Sequence, residues 1–287
     1  MLVDMPTALP LPLDRQVALI TGANTGIGRV TARELARLGA QVFIACRSVE
    51  RGRSVLEEIR ALSPRAQVES LQLDLADLDS VRECAERFLA RGLPLNLLVN
   101  NAGVAGAKGL TPAGFELAFG VNHVGHFLLT QCLLPRIRES APARIVTVAS
   151  RAHYRAPGID WEALRRPTRS ATGIPEYGVS KLANVLFSAE LGRRLHGSGV
   201  STYSLHPGVV ATDIWRSVPA MLRALIKWTM ISPEAGAATT LYCATSADVA
   251  QHTGLYYDRS AAKTPSALAR DPSLAAQLWA RTEDWLR

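Results

Sequence analysis

The sequence predicts one doubly wound α/β domain, a mostly parallel sheet covered by helices on both faces, and three observations carry that prediction. Short apolar, β-branched runs alternate with helical stretches from residue 16 to Leu205, the pattern that right-handed crossovers between parallel strands produce. The first run stops at a glycine and opens directly into a Gly-rich turn and a helix. At 287 residues and 48% apolar content the chain can bury a full core, and no repeat, low-complexity tract or linker marks a second unit.

Taken in order, Gln16-Val-Ala-Leu-Ile-Thr-Gly22 reads as a strand buried on both faces. Gly22, Gly26 and Gly28 follow as Thr-Gly-x-x-x-Gly-x-Gly, and the helix expected over 26–38 ends at Gly39, where a glycine commonly closes a helix. Glycines let a backbone approach a pyrophosphate, and a helix N-terminus offers it free N–H groups. The plainer reading is an ordinary strand-to-helix turn. The second strand ends at Val42-Phe-Ile-Ala-Cys-Arg47. There an NAD site carries an acid for the ribose 2′-hydroxyl, whereas an arginine suits a 2′-phosphate, so Arg47 favours NADP(H) over NAD(H). Arg51 and Arg53 either add positive potential or are solvated residues of the next helix, 49–62. Leu71-Gln-Leu-Asp-Leu75 closes the third strand before a helix over 77–91, and Leu95 to Asn100 forms the fourth before a helix over 111–135. Ala143 to Ser150 is the fifth strand, 175–197 the next helix, Thr253 to Asp258 the last strand, and a polar loop leads to a terminal helix over 272–286.

The helix over 175–197 carries the chemistry. Tyr177 and Lys181 stand four residues apart and share one helical face. Lowering a phenol pKa from roughly 10 by three units takes about 4 kcal/mol, and one fixed cation at about 5 Å supplies on the order of 3 kcal/mol at an effective dielectric of about 20. Lys181 and the positive ring of an oxidised nicotinamide together would make Tyr177 a working proton donor and acceptor. By themselves the two side chains could equally be a solvated helix face.

Thr21-Gly-x-x-x-Gly-x-Gly28, Asp74, Asn100-Asn-Ala-Gly103, Asn122, Ser150, Tyr177-x-x-x-Lys181 and His206-Pro-Gly208 stand in the order of the short-chain dehydrogenase/reductase signature, and nearly the whole chain resembles that family. Val121-Asn-His-Val-Gly-His-Phe-Leu-Leu-Thr130 and Ser180 to Phe187 are similar to its retinol-dehydrogenase-like carbonyl reductases. The resemblance implies a Rossmann-type domain over 1–287 with a seven-stranded sheet in the order 3-2-1-4-5-6-7, residues 1–14 a flexible N-terminal segment and 209–232 a substrate lid. It implies Tyr177 as proton donor in carbonyl reduction and base in alcohol oxidation, and Lys181 as the group that lowers its pKa and binds the nicotinamide ribose. Ser150 would hold the substrate oxygen, and Asn122 would support Lys181 through a water. The cofactor set it implies is Gly22, Asn24, Thr25, Gly26, Ile27, Gly28, Arg47, Asp74, Leu75, Asn101, Ala102, Gly103, Tyr177, Lys181, Pro207, Gly208, Val210 and Thr212. Asp74 would also suit a helix cap.

Other features narrow the function. The net charge of +7 comes from scattered arginines, with lysine only at 108, 181, 227 and 263, and no basic run with interleaved aromatics, so no nucleic-acid partner is expected. Cys46, Cys84, Cys132 and Cys243 lie far apart without a C-x-x-C, which fits a reducing cytoplasm and indicates neither a disulfide framework nor a metal site. His123 and His126 lack further ligands at metal spacing. The first 15 residues lack an apolar signal region and no long uninterrupted apolar stretch follows, so no integral membrane segment is expected, in departure from membrane-anchored retinol dehydrogenases.

Substrate information sits in two places. A long insertion between Ser150 and Tyr177 includes Ile159 to Leu164, and Trp215 to Ile231 is rich in Met, Leu, Ile and Trp where the family carries its lid. That second segment is either core packing or a lid for a lipophilic aldehyde, ketone or alcohol. Two other readings stand beside the reductase: an extended-type sugar-nucleotide epimerase or dehydratase, and a non-enzymatic NADP-sensing protein. A homodimer is expected over a monomer, through a helical stripe of Leu182, Val185, Leu186 and Ala189 that the insertion could also cover.

Overall fold

The structure is a computed structural model and describes residues 13–208 and 231–287. The expected lid over 209–232, apart from its last two residues, lies outside them, as do residues 1–12.

Its elements are β1 (Val17–Thr21), α1 (Gly26–Arg37), β2 (Gln41–Cys46), α2 (Val49–Leu62), β3 (Val68–Gln72), α3 (Leu78–Leu89), β4 (Leu97–Asn100), α4 (Leu117–Phe119), α5 (Gly125–Glu139), β5 (Ala143–Val148), α6 (Ile174–Arg194), β6 (Val200–His206), α7 (Pro233–Thr245), β7 (Leu255–Asp258), β8 (Ala261–Lys263) and α8 (Pro272–Leu286). The sheet order is β3-β2-β1-β4-β5-β6-β7-β8, parallel throughout except for β8, which pairs antiparallel with β7. Apolar side chains alternate between the two faces of each strand. On one face Ala18, Ile20, Val42, Ile44, Val146 and Val148 pack under α1, α2 and α7. On the other, Leu19, Phe43, Leu98 and Ile145 meet α3, α5 and α6. All the parallel strands therefore end along one edge, where open α/β sheets bind ligands.

Eight strands stand where seven were expected. The eighth closes a two-residue turn in which Arg259 (φ 52°) and Ser260 (φ 55°) are both left-handed, the geometry of a tight hairpin. Neither is the Asn or Gly that signals such a turn, which is why the stretch reads as a polar loop.

The helix expected over 111–135 starts at Leu117 instead. Thr111 and Phe115 close a turn on each other, the Phe115 amide donating to Thr111 Oγ1 at 3.1 Å, and the Glu116 carboxylate caps the Phe119 amide at 2.9 Å. From Leu117 one continuous helix runs to Glu139, interrupted by a π turn at Gly120–Val124 in which the Gly125 amide donates to the Gly120 carbonyl. By length and composition this helix could cross a membrane, and it is mostly buried against the sheet and its neighbours.

The stripe expected to pair two copies is buried within the chain. Leu182, Val185 and Leu186 pack with Ala275 and Leu278 of α8, Phe187 stacks on Trp279 at 5.9 Å, and the Arg194 guanidinium lies 4.3 Å over the Trp279 ring. Ala189, the fourth residue of the stripe, is half-buried. The insertion contributes as well: Leu164 joins the same cluster, and Thr168 donates to the Glu116 carboxylate at 2.5 Å.

Candidate active site

A cradle for a dinucleotide forms where β1 meets α1. Gly22 and Gly26 have φ of 66° and 55°, which side-chain-bearing residues rarely adopt. A Cβ on Gly28 would come within 2.5 Å of Asn101 Nδ2 and 2.6 Å of the Gly22 carbonyl, so the turn closes only on glycine. Thr25 caps α1 with no side-chain hydrogen bond and the first turn holds no acid, which leaves the helix N–H groups and their positive dipole end open toward the cradle. These features fit the pyrophosphate of a dinucleotide.

The flanking residues close around it. Thr21 Oγ1 accepts from the amides of Asn101 at 2.9 Å and Ala102 at 3.0 Å, and Asn101 Nδ2 donates to the Thr21 carbonyl at 2.8 Å, so the loop after β4 is stitched to β1. Asn24, Ile27 and Gly103 are half-buried beside it, and Arg47 stands exposed just past the end of β2. Asp74 closes a local turn, its carboxylate accepting from the Ala76 amide at 3.0 Å, and the cap of α3 is Asp77 instead, while Leu75 is buried against Gly125. Pro207 and Gly208 (φ 94°) follow β6 on the same edge. Val210 and Thr212 lie outside the described residues.

Tyr177, Lys181 and Ser150 meet at that edge. Ser150 follows β5, its hydroxyl accepting from the Ala152 amide at 3.1 Å. Tyr177 is buried on the first turns of α6, and Lys181, 1% exposed, places Nζ 5.6 Å from the centre of the tyrosine ring and donates to the Val148 carbonyl at 2.8 Å. Burial pushes the Tyr177 phenol up to about 12, and the Ser150 hydroxyl pulls it back in part. Burial also brings Lys181 down to about 7. In the protein alone, burial sets the direction for Tyr177 and the Ser150 hydroxyl is the group that opposes it.

Asn122 holds the backbone around the site. Its amide clamps the backbone of Val104, accepting from N at 2.8 Å and donating to O at 3.0 Å, and donates to Ser180 Oγ at 2.9 Å. Ser180 in turn donates to the Tyr177 carbonyl at 2.8 Å. Asn122 therefore fixes the start of α6 and the loop after β4.

Several supporting residues carried no sequence signal. His153 Nδ1 donates to the Ser150 carbonyl at 2.6 Å while Nε2 accepts from the Ser266 amide at 3.2 Å, tying the serine to the loop after β8. Arg151 pairs with Asp258 at 2.6 Å, and its amide donates to His206 Nδ1 at 3.3 Å, which joins the ends of β5, β6 and β7. Only the His206-Pro-Gly motif hinted at any of this. Among the described residues no three His, Cys, Asp or Glu gather as a metal site, and His123 sits instead in an aromatic cluster with Phe119, Phe127 and Phe187.

Hydride exchange between a nicotinamide and a carbonyl or alcohol is the chemistry this arrangement suits, which puts the molecule among dinucleotide-dependent oxidoreductases. Residues 16–163 match the short chain dehydrogenase family. Retinol dehydrogenase 12 of Mus musculus is 47% identical over 270 residues, 92% of this chain and 84% of that protein. Retinol dehydrogenase 13 of Homo sapiens is 41% identical over 276 residues, 93% of this chain and 83% of that one. Among solved structures, an uncharacterized protein from Mycobacterium paratuberculosis aligns at a TM-score of 0.77 and 35% identity, over 96% of this chain and 95% of that chain. The RhlG/NADP active-site complex of Pseudomonas aeruginosa aligns at 0.67 and 28%, over 86% and 95%. The chain belongs to the short chain dehydrogenase family and is retinol-dehydrogenase-like within it.

Proposed function

We propose that the chain is an NADP(H)-preferring oxidoreductase that interconverts a lipophilic aldehyde or ketone and its alcohol. The convergence of Tyr177, Lys181 and Ser150 beside the glycine cradle carries the reading. Arg47, exposed at the end of β2, supports the cofactor preference as the partner of a 2′-phosphate. The relatives' names as retinol dehydrogenases, and the apolar composition of 215–231, support the lipophilic substrate.

In reduction, Ser150 donates a hydrogen bond to the carbonyl oxygen and Tyr177 transfers its phenolic proton to it as the alcohol forms. In oxidation, the tyrosinate takes that proton back. Bringing the phenol from about 12 to neutrality requires about 7 kcal/mol, and Lys181, when charged and with Nζ 5.6 Å from the ring centre, supplies on the order of 3 kcal/mol of it at an effective dielectric of about 20. The Ser150 hydrogen bond is already included in that value of about 12. A dinucleotide held by the glycine cradle would supply hydride exchange and, when oxidised, a positive ring.

The test is steady-state kinetics with NADPH and NADH against a panel of lipophilic aldehydes, all-trans-retinal included, and the matching alcohols in reverse. The expected result is turnover with a cofactor preference of at least about tenfold for NADPH, the factor a charge-assisted contact of about 1.5–3 kcal/mol yields. Equal use of both cofactors, or turnover confined to sugars or small acids, would refute the reading.

A further inference from the structure

His126 on α5 is buried, 1% exposed, and has no role in the chemistry described above. Its two ring nitrogens touch the site from two directions: Nδ1 lies 3.0 Å from the main-chain carbonyl of Asn122, and Nε2 lies 2.8 Å from Thr21 Oγ1. Hydrogen-bond accounting fixes its proton. A carbonyl oxygen only accepts, so Nδ1 carries the hydrogen. Thr21 Oγ1 already accepts from the amides of Asn101 and Ala102, which uses both lone pairs and leaves its own proton to give. Of the two acceptors in reach, His126 Nε2 is at 2.8 Å and the Val99 carbonyl at 3.4 Å, so the proton goes to the imidazole. The ring is neutral and in the Nδ1–H form. Desolvation pushes the same way, bringing His126 down to about 4, with the Lys181 charge adding to the effect.

The contact falls in the π turn. Within Gly120–Val124 the helical ladder shifts, the Gly125 amide donating five residues back to Gly120, and the His126 ring meets the Asn122 carbonyl of that turn. Thr21 closes the loop that faces the dinucleotide, and Asn122 fixes the start of α6 through Ser180. A single imidazole spans the two.

We propose that His126 is a positioning residue that couples the dinucleotide cradle to the catalytic turn, its Nε2 holding Thr21 and its Nδ1–H holding the carbonyl of Asn122. The role rests on the Tyr177 and Lys181 chemistry proposed above, yet two of its readouts need no turnover.

The first readout is the tautomer, measured by long-range proton–nitrogen correlation spectra of the full chain labelled at histidine. An Nδ1–H neutral ring at pH 7 is expected, and an Nε2–H or doubly protonated ring overturns the proposal. The second uses two variants that each keep one arm. An asparagine amide reaches the Asn122 carbonyl but not Thr21, and a glutamine amide reaches Thr21 but not the carbonyl. Relative to each other, His126→Asn should weaken NADPH affinity and His126→Gln should lower kcat at saturating cofactor, each on the order of tenfold. Affinity is read by NADPH fluorescence titration. Equal losses of both quantities in both variants, tracking only the melting temperature, mean a purely structural histidine and overturn the coupling. If the unmodified protein reduces no carbonyl at all, the functional reading fails by itself, and the tautomer and NADPH affinities still decide the role of His126.

Discussion

Lys181→Met is expected to make the protein more stable at pH 6 while abolishing its turnover. The Lys181 ammonium is buried, pairs with no carboxylate among the described residues, and donates to the Val148 carbonyl at 2.8 Å. Its fall from the ordinary lysine value of 10.5 to about 7 corresponds to about 5 kcal/mol against the charged form, at about 1.4 kcal/mol per pH unit. Below pH 7 the group is charged in both the folded and unfolded chain, and that penalty is present in full. Between about 7 and 10.5 the unfolded chain binds more protons than the folded one, so stability rises with pH until the penalty is gone. Methionine has a similar volume and no charge, and it forfeits a hydrogen bond worth about 1 kcal/mol. The variant should therefore gain on the order of 2–4 kcal/mol at pH 6 and lose about 1 kcal/mol at pH 10. Urea denaturation of the dinucleotide-free protein at the two pH values measures the difference, read from midpoints at unchanged slope. A variant less stable than the parent at pH 6, or a difference that does not change with pH, would show that Lys181 is not held under strain.

Three further outcomes are expected. Tyr177→Phe should cut turnover by at least about 100-fold while NADPH titration shows retained binding, since only the transferable proton is lost. Arg47→Asp should weaken NADPH far more than NADH, with kcat/KM ratios for the two cofactors moving toward NADH as a contact of about 1.5–3 kcal/mol turns into repulsion. Gly28→Ala should lose dinucleotide affinity and about 1–3 kcal/mol of stability in denaturant melts, because its methyl would press on Asn101 Nδ2 and the Gly22 carbonyl.

Much of this architecture is legible in the chain before folding. The strands announce themselves as short β-branched runs because parallel strands are buried on both faces. Gly22, Gly26 and Gly28 announce a cradle because no other residue fits it. Tyr177 and Lys181 are readable as a pair because helical spacing alone brings them to one face. Contacts that depend on distant chain segments were not readable. Nothing local to Asn122 indicates that its amide clamps Val104 and Ser180, or that its carbonyl belongs to His126. The start of the helix at Leu117 depends on Glu116 turning back as a cap, and β8 depends on a left-handed Arg259-Ser260 turn that sequence preference argues against. The stripe of Leu182, Val185 and Leu186 looked like a surface because helical periodicity tells that a face is apolar and not what covers it.

What covers it is α8, which follows α6 by some eighty residues, and this has a consequence for the order in which the molecule can be made. Synthesis delivers β1 to β6 and the catalytic helix α6 well before Ala275, Leu278 and Trp279 exist. Until those residues emerge, the flank of α6 that ends up against Trp279 is open to water, along with Phe127 and Phe187 beside it. A nascent chain in that condition exposes apolar surface of the kind that associates wrongly or recruits chaperones. The catalytic side of the domain is thus sealed only after α6 has been made and α8 has followed it, and a chain without α8 would carry Tyr177, Lys181 and Ser150 on a half-built core.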